Sequence, residues 1–196
     1  VTASRDSSCA VWDVATASQI FTGKCKDRCM SANFDESGGR VVTASFDKTA
    51  VVWDVATGAK AFTAKHSGLV FSAAFDASGR NIVTGGDAKG AIVWDLVAGA
   101  PREAMKHEDR VYSVAFDTSG EHVISASGDR SAAIWRVADG QRLQVLKHAK
   151  GVLGASFDAS GTLAVTASAD GSGAVWEVAT GRRLLSGTHS DPVNAA

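Results

Sequence analysis

Proline and cysteine are both scarce in this chain. Two prolines, Pro101 and Pro192, and three cysteines, Cys9, Cys25 and Cys29, occur among 196 residues. So few prolines leave no proline-rich linker, and the length allows one domain or at most two. An odd, clustered set of cysteines is not the framework of a disulfide-stapled secreted domain. It implies free thiols and a reducing, intracellular setting. No apolar run approaches the roughly 18 residues of a membrane span, and no charged start before an apolar segment reads as a signal peptide. Neither charge sign dominates: 20 Lys and Arg stand against 21 Asp and Glu, a net charge of −1. Duplex-binding and membrane-surface proteins are expected to be basic, which argues against both partners. The apolar fraction of 45% is too high for disorder.

What the chain does have is a period. Its tryptophans are Trp12, Trp53, Trp94, Trp135 and Trp176, spaced by 41 residues without insertion or deletion. Each period reads as four short β-strands. The first closes on Phe, as in "VFSAAF" (Val70–Phe75), and is followed by a turn such as "DASG". The second is of the type "NIVTGG", the third ends in Trp as in "GAIVW", and the fourth is the weaker "PREAM". Gly, Asp, Asn and Ser between them supply hairpin turns. No stretch has apolar spacing of 3.6 over a helical length, so the fold class is all-β. Strands of about five residues must pair into small antiparallel sheets, and such sheets must pack on one another to gain a core. The chain begins in a second strand, "VTAS", and ends in a first strand, "PVNAA". We therefore expect an excerpt of a longer protein.

Signatures of catalysis and metal binding are lacking. Four of the five histidines, His66, His107, His148 and His189, recur at a spacing of 41, one to a blade, and cannot converge on one ion, and Cys25 and Cys29 have no second pair to complete a zinc site. No metal or other cofactor is expected. Asp35, Asp76, Asp117 and Asp158 head hairpin turns, where side-chain bonding to the turn explains them. Neither a nucleophile elbow nor a phosphate loop is present, so no enzyme activity and no small-molecule substrate are expected.

The 41-residue unit with Trp closing its third strand, followed by Asp in Asp13, Asp54 and Asp95, resembles the WD40-repeat family over essentially the whole chain. The resemblance implies a β-propeller with five four-stranded blades here, as part of a seven-bladed ring; a closed five-bladed ring is the alternative. It also implies a hydrogen-bonded chain in each blade, running from Trp through a second-strand Ser or Thr and a His to a turn Asp. Carried over position by position, two blades hold the full set: His107, Ser127, Asp129, Trp135, and His148, Ser168, Asp170, Trp176. The blade of Trp53 has Ser45 and Asp47, with Cys25 where His belongs. The blade of Trp94 keeps His66 but has Gly86 for Ser and Ala88 for Asp. His189 would complete Ser4, Asp6 and Trp12 if the last segment joined the first blade.

The resemblance further implies a non-catalytic scaffold that binds other proteins or peptides on the face bearing the first-strand entries and the residue before the turn Asp. Those positions hold Arg28, Met30, Leu69, Phe71, Arg110, Tyr112 and Leu153, and Arg5, Phe46 and Asp87. Large apolar groups beside Arg have the composition of a binding hot spot, with its centre expected at Phe46, Phe71 and Tyr112. Two other readings stand beside this one: a propeller binding chromatin peptides or nucleic acid, and a regulatory propeller whose catalytic domain lies outside this chain. The expected location is the cytoplasm, with cytoskeletal, ciliary and nuclear assemblies as further settings.

Overall fold

The computed structural model describes residues 1–195, without the side chain of Glu103. Among the described residues every regular element is a strand, and the strands form five antiparallel sheets. The first sheet has three strands, β1 (Thr2–Ala3), β2 (Ser8–Trp12) and β3 (Gln19–Lys24). The second is β4 (Cys29–Phe34), β5 (Arg40–Ser45), β6 (Thr49–Asp54) and β7 (Lys60–Lys65); the third is β8 (Val70–Phe75), β9 (Asn81–Gly86), β10 (Gly90–Asp95) and β11 (Ala100–Lys106). The fourth is β12 (Val111–Phe116), β13 (His122–Ser127), β14 (Ser131–Arg136) and β15 (Arg142–Lys147). The fifth is β16 (Val152–Phe157), β17 (Leu163–Ser168), β18 (Ser172–Glu177) and β19 (Arg183–Thr188). Strands within a sheet follow chain order, so every connection inside a sheet is a hairpin.

Turn chemistry fixes these hairpins. Asp35 accepts the Arg40 amide at 3.0 Å and the Ser37 hydroxyl, while Gly38 takes the left-handed conformation at φ 70°. Asp76, Asp117 and Asp158 repeat this arrangement, with Gly79, Gly120 and Gly161 at φ between 65° and 72°. These carboxylates are turn-bound, as their sequence positions imply.

The core lies between sheets. One buried cluster joins Cys9 and Val11 to Val41, Val51 and Trp53; a second joins Val42, Val52 and Ala64 to Val70, Ile82 and Trp94. Two more, around Trp135 and Trp176, couple the third sheet to the fourth and the fourth to the fifth. Trp53, Trp94, Trp135 and Trp176 therefore each pack back onto the preceding sheet. Trp53, Trp94, Trp135 and Trp176 are 4–8% exposed, whereas Trp12, with no sheet before it, is 45% exposed. First strands pack in succession, β4 on β8, β8 on β12 and β12 on β16, so they line the inner side of an open array, while β1, the second strand of its own sheet, packs on β4.

The strand expected over 192–196 does not form in its described part, residues 192–195; Ala196 lies outside the described residues. A lone first strand has no second strand to pair with, and Val193 makes one ladder-like bond, N–H to Ser168 O at 3.0 Å. His189 donates its amide to Gly171 of its own sheet and does not complete the sheet of Trp12, whose order is β1-β2-β3.

Candidate interaction face and the polar chains behind it

Each first strand carries a β-bulge at its second residue. The register shifts between Cys29 and Ser31, Val70 and Ser72, Val111 and Ser113, and Val152 and Gly154. The bulged residues are thus Met30, Phe71, Tyr112 and Leu153. A bulge leaves one residue out of the ladder and re-aims its side chain. This is why large apolar groups point out of strands otherwise made of small core residues.

Three aromatic rings from three sheets meet on this edge. Phe46, just past β5, lies edge-on to Phe71 with centroids 5.6 Å apart, and Phe71 stacks on Tyr112 at 5.8 Å and 24°. The Arg28 guanidinium sits over Phe46 at 5.8 Å, and Phe46 donates its amide to Arg28 O. At the other end Arg110 pairs with Asp87 of the neighbouring sheet at 2.7 Å. All three rings are partly exposed, and Met30, at the Arg28 end, is 37% exposed. Leu69 is partly buried and its carbonyl accepts the Asp87 amide. Its approach explains the glycine opposite, because a Cβ on Gly86 would lie 2.0 Å from Leu69 O. Arg5, exposed in the first sheet, and Leu153, partly buried in the fifth, each lie one sheet outside the row.

Behind the face run the polar chains, and here the structure corrects the serine assignment. Trp135 Nε1 donates to Ser125 Oγ at 2.8 Å, and His107 Nε2 meets the same hydroxyl at 2.7 Å. His107 Nδ1 lies 2.7 Å from Asp129. An ionised Asp129 needs a donor, so Nδ1 carries the proton and Nε2 accepts from Ser125. Ser127, the expected member, instead donates to Asp109 O and accepts the Asp129 amide. Both serines face the same side of β13, but Ser125 is one diagonal step from Trp135, while Ser127 ends the strand over the crossover. In the fifth sheet Trp176 and His148 likewise meet on Thr166, at 2.8 and 2.7 Å, and His148 reaches Ser172 and Asp170. Ser168 makes the crossover contacts there. Trp53 uses Thr43, Trp94 uses Thr84 and Trp12 uses Thr2, so Ser45 and Ser4 are also turn-bound. Asp6 accepts from Ser8 in the first of these turns.

Besides the first sheet, which lacks its His, two sheets depart from the pattern. In the third, His66 packs edge-on against Trp94 at 5.3 Å, and its Nε2 meets no hydrogen-bond partner among the described residues. Burial lowers its pKa to about 4. The sheet nevertheless keeps its Trp–Thr bond, so Gly86 does not break the chain; Ala88 does. Burial also pushes His107 and His148 down, against the opposing pull of Asp129 and Asp170. In the second sheet, Cys25 and Cys29 are bonded to one another as a disulfide. This corrects the expectation of free thiols: Cys9 is the free cysteine, and it is buried. A four-residue spacing across a crossover brings the two Cα atoms within 6.4 Å, close enough to bridge.

The family model for the WD domain, G-beta repeat, matches four times, over residues 16–54, 59–95, 102–136 and 140–177. The chain belongs to the WD40-repeat family. Each WD40 match runs from the fourth strand of one sheet through the third strand of the next, so the sequence repeat straddles two blades and contains the crossover between them. Such repeats are generally non-catalytic interaction scaffolds that bind proteins. Many solved chains share the fold. Among them is a crystal structure of the computationally designed Ika8 protein, 24% identical with a TM-score of 0.87. The alignment covers 98% of this WD40 chain and 60% of the designed one. No curated protein matches the chain in sequence. Among the described residues no cluster of metal-ligating side chains occurs, and no helix is long and apolar enough to cross a membrane.

Proposed function

We propose that this propeller is a non-catalytic scaffold within a larger assembly. It binds an extended segment of a partner protein across Phe46, Phe71 and Tyr112. The observation that carries the reading is the continuous aromatic row spanning three sheets, held at one end by Arg28 and at the other by the Arg110–Asp87 pair. Rings fixed by the bulged strands at Phe71 and Tyr112, and at Phe46 by its amide hydrogen bond to Arg28, give contact area at little entropic cost, which is where binding energy concentrates. The segment that fits presents an aliphatic or aromatic anchor to the rings and an acidic neighbour to Arg28. Nucleic acid fits less well, because Arg110 is already neutralised by Asp87 and the chain carries a net charge of −1.

Selection of peptides from a displayed random library against the wild-type protein tests this. Enriched peptides should carry an apolar anchor next to Asp or Glu. Phe46→Ala combined with Tyr112→Ala should lower their affinity by roughly 10- to 100-fold, with melting changed by only a few degrees. Enrichment that is indifferent to both substitutions would refute the site. Retention on single-stranded DNA with a steep salt slope would favour the nucleic-acid reading instead.

A further inference from the structure

We propose that Cys25 and Cys29 form a reversible dithiol–disulfide site, opened by a small-molecule or protein thiol, whose redox state sets the order of the crossover carrying Arg28. Three independent features point to it. First, both residues depart from the repeat together. One period later and onward the position of Cys25 holds His66, His107 and His148, and that of Cys29 holds Val70, Val111 and Val152. The rest of this polar chain, Thr43, Asp47 and Trp53, is retained. A His and a Val have been exchanged for two cysteines that bond to one another.

Second, the bond sits where the missing contact would act. In the fourth blade the crossover is tied down by His107 to Asp129 and by the Glu108 amide to the same carboxylate. In the second blade the amide bond remains, Lys26 N–H to Asp47 at 2.8 Å, and the disulfide replaces the imidazole link. The bridged segment contains Arg28, which supports Phe46 through its carbonyl and its guanidinium. Third, the two sulfurs differ in access. Cys29 is 2% exposed, whereas Cys25 is partly exposed. Cys9, buried in the adjoining cluster, has its thiol pKa raised by desolvation and stays protonated, so it does not compete as the attacking thiolate.

The chemistry balances as ordinary exchange. A thiolate of the reductant attacks Cys25 Sγ, the sulfur–sulfur bond breaks, and its electron pair leaves on Cys29, which takes up a proton. A second thiolate attacks the mixed disulfide and releases Cys25, which is protonated in turn. The reductant departs as a disulfide, and two electrons and two protons have entered the protein.

The test compares the wild-type chain in glutathione disulfide and in dithiothreitol. After oxidation, denaturation and alkylation, one cysteine should label, Cys9; after reduction, three should. Reduction should lower Tm by about 4–8 °C, the shift expected for releasing so short a loop. It should also speed amide exchange at residues 26–30 by at least about 10-fold, which marks local opening. The double variant Cys25→His, Cys29→Val installs the residues of the sister blades, with Asp47 and Thr43 in place to receive the imidazole. Its melting should be indifferent to dithiothreitol. Three labels after oxidation, or unchanged melting and exchange on reduction of the wild type, overturn the proposal; so does a variant that stays sensitive to the reductant. If the variant fails to fold, the wild-type comparison decides alone. None of these readouts needs a bound peptide, so they stand apart from the interaction-face reading.

Discussion

Ala88→Asp should repair the third blade. The position corresponds by period to Asp47 and Asp129, and the adjacent Lys89 holds φ at 57°, close to the 68° of Lys48 and 73° of Arg130. The turn is already shaped for the carboxylate. Asp129 shows what it would gain: the residue-131 amide at 3.0 Å, the residue-108 amide at 3.2 Å and a buried imidazole at 2.7 Å. The corresponding donors here are the amides of Gly90 and Ser67 and the ring of His66. One bond is to a buried group and two lie at an exposed turn, so the net gain is about 2–3 kcal/mol. For a chain of this size that raises Tm by roughly 4–12 °C. The carboxylate also stabilises imidazolium, so the His66 pKa should rise from about 4. Thermal melting with an NMR titration of the His66 ring measures both. An unshifted pKa with unchanged Tm would refute the assignment of Ala88 as the broken link.

The same residue predicts acid sensitivity. The folded pKa of His66 lies below the unfolded 6.5, so the unfolded state takes up its proton first. The stability linked to His66 is full above pH 6.5 and is lost as pH falls towards 4, by roughly 3 kcal/mol in all. His107 and His148, also lowered, add to that window. The difference between wild type and Ala88→Asp in urea melts from pH 7 to 4 isolates His66. The variant should lose less. Ser125→Ala removes the hydroxyl shared by Trp135 and His107 and should cost about 2–3 kcal/mol, whereas Ser127→Ala should cost about 1 kcal/mol; equal costs in urea melts would refute the corrected chain. Trp135→Ala should cost about 3–5 kcal/mol, and Trp12→Ala, already half open to solvent, clearly less.

The strands were legible because every one is written four or five times. A first strand ending in Phe, a D-x-S-G turn and a third strand ending in Trp locate β8, β9 and β10 to within a residue. The aromatic row was legible too, since Phe46, Phe71 and Tyr112 stand at equivalent loop and entry positions. Their cause was not. The bulge at Phe71 and Tyr112 leaves no residue signature of its own, and only the alternation of "VFSAAF" carries a trace, with large Phe71 beside the buried Val70. The serine error has a similar origin. "HVISAS" offers Ser125 and Ser127 on one strand face, and choosing between them needs the cross-strand register, Ser125 opposite Ala133. "NIVTGG" held the answer, because with Gly at the later position the Thr must be the partner of Trp94. The disulfide was misjudged because cysteine counting weighs frameworks, whereas here the informative fact is which repeat positions the cysteines replaced.

Two kinds of defect, a lost His–Asp link and a missing packed neighbour, bear on where this array opens first. The third blade lacks its His–Asp link but keeps sheets on both sides; the first blade lacks that link too, because His189 stays with the fifth sheet, and has only one neighbour among the described residues. The lost link is worth about 1–3 kcal/mol. The missing neighbour costs more. Trp12 is 45% exposed where its counterparts are at most 8%, and Ile20 and Val14 are 53% and 97% exposed. At about 25 cal/mol per Å² the indole alone forgoes roughly 2 kcal/mol, before the rest of the face is counted. Stability in such an array follows nearest-neighbour contacts. Native-state hydrogen exchange should therefore be faster in β2 and β3 than in β9 and β10, with β13 and β14 slowest. Faster exchange in the third blade than in the first would refute the view that the packed faces set the order of opening.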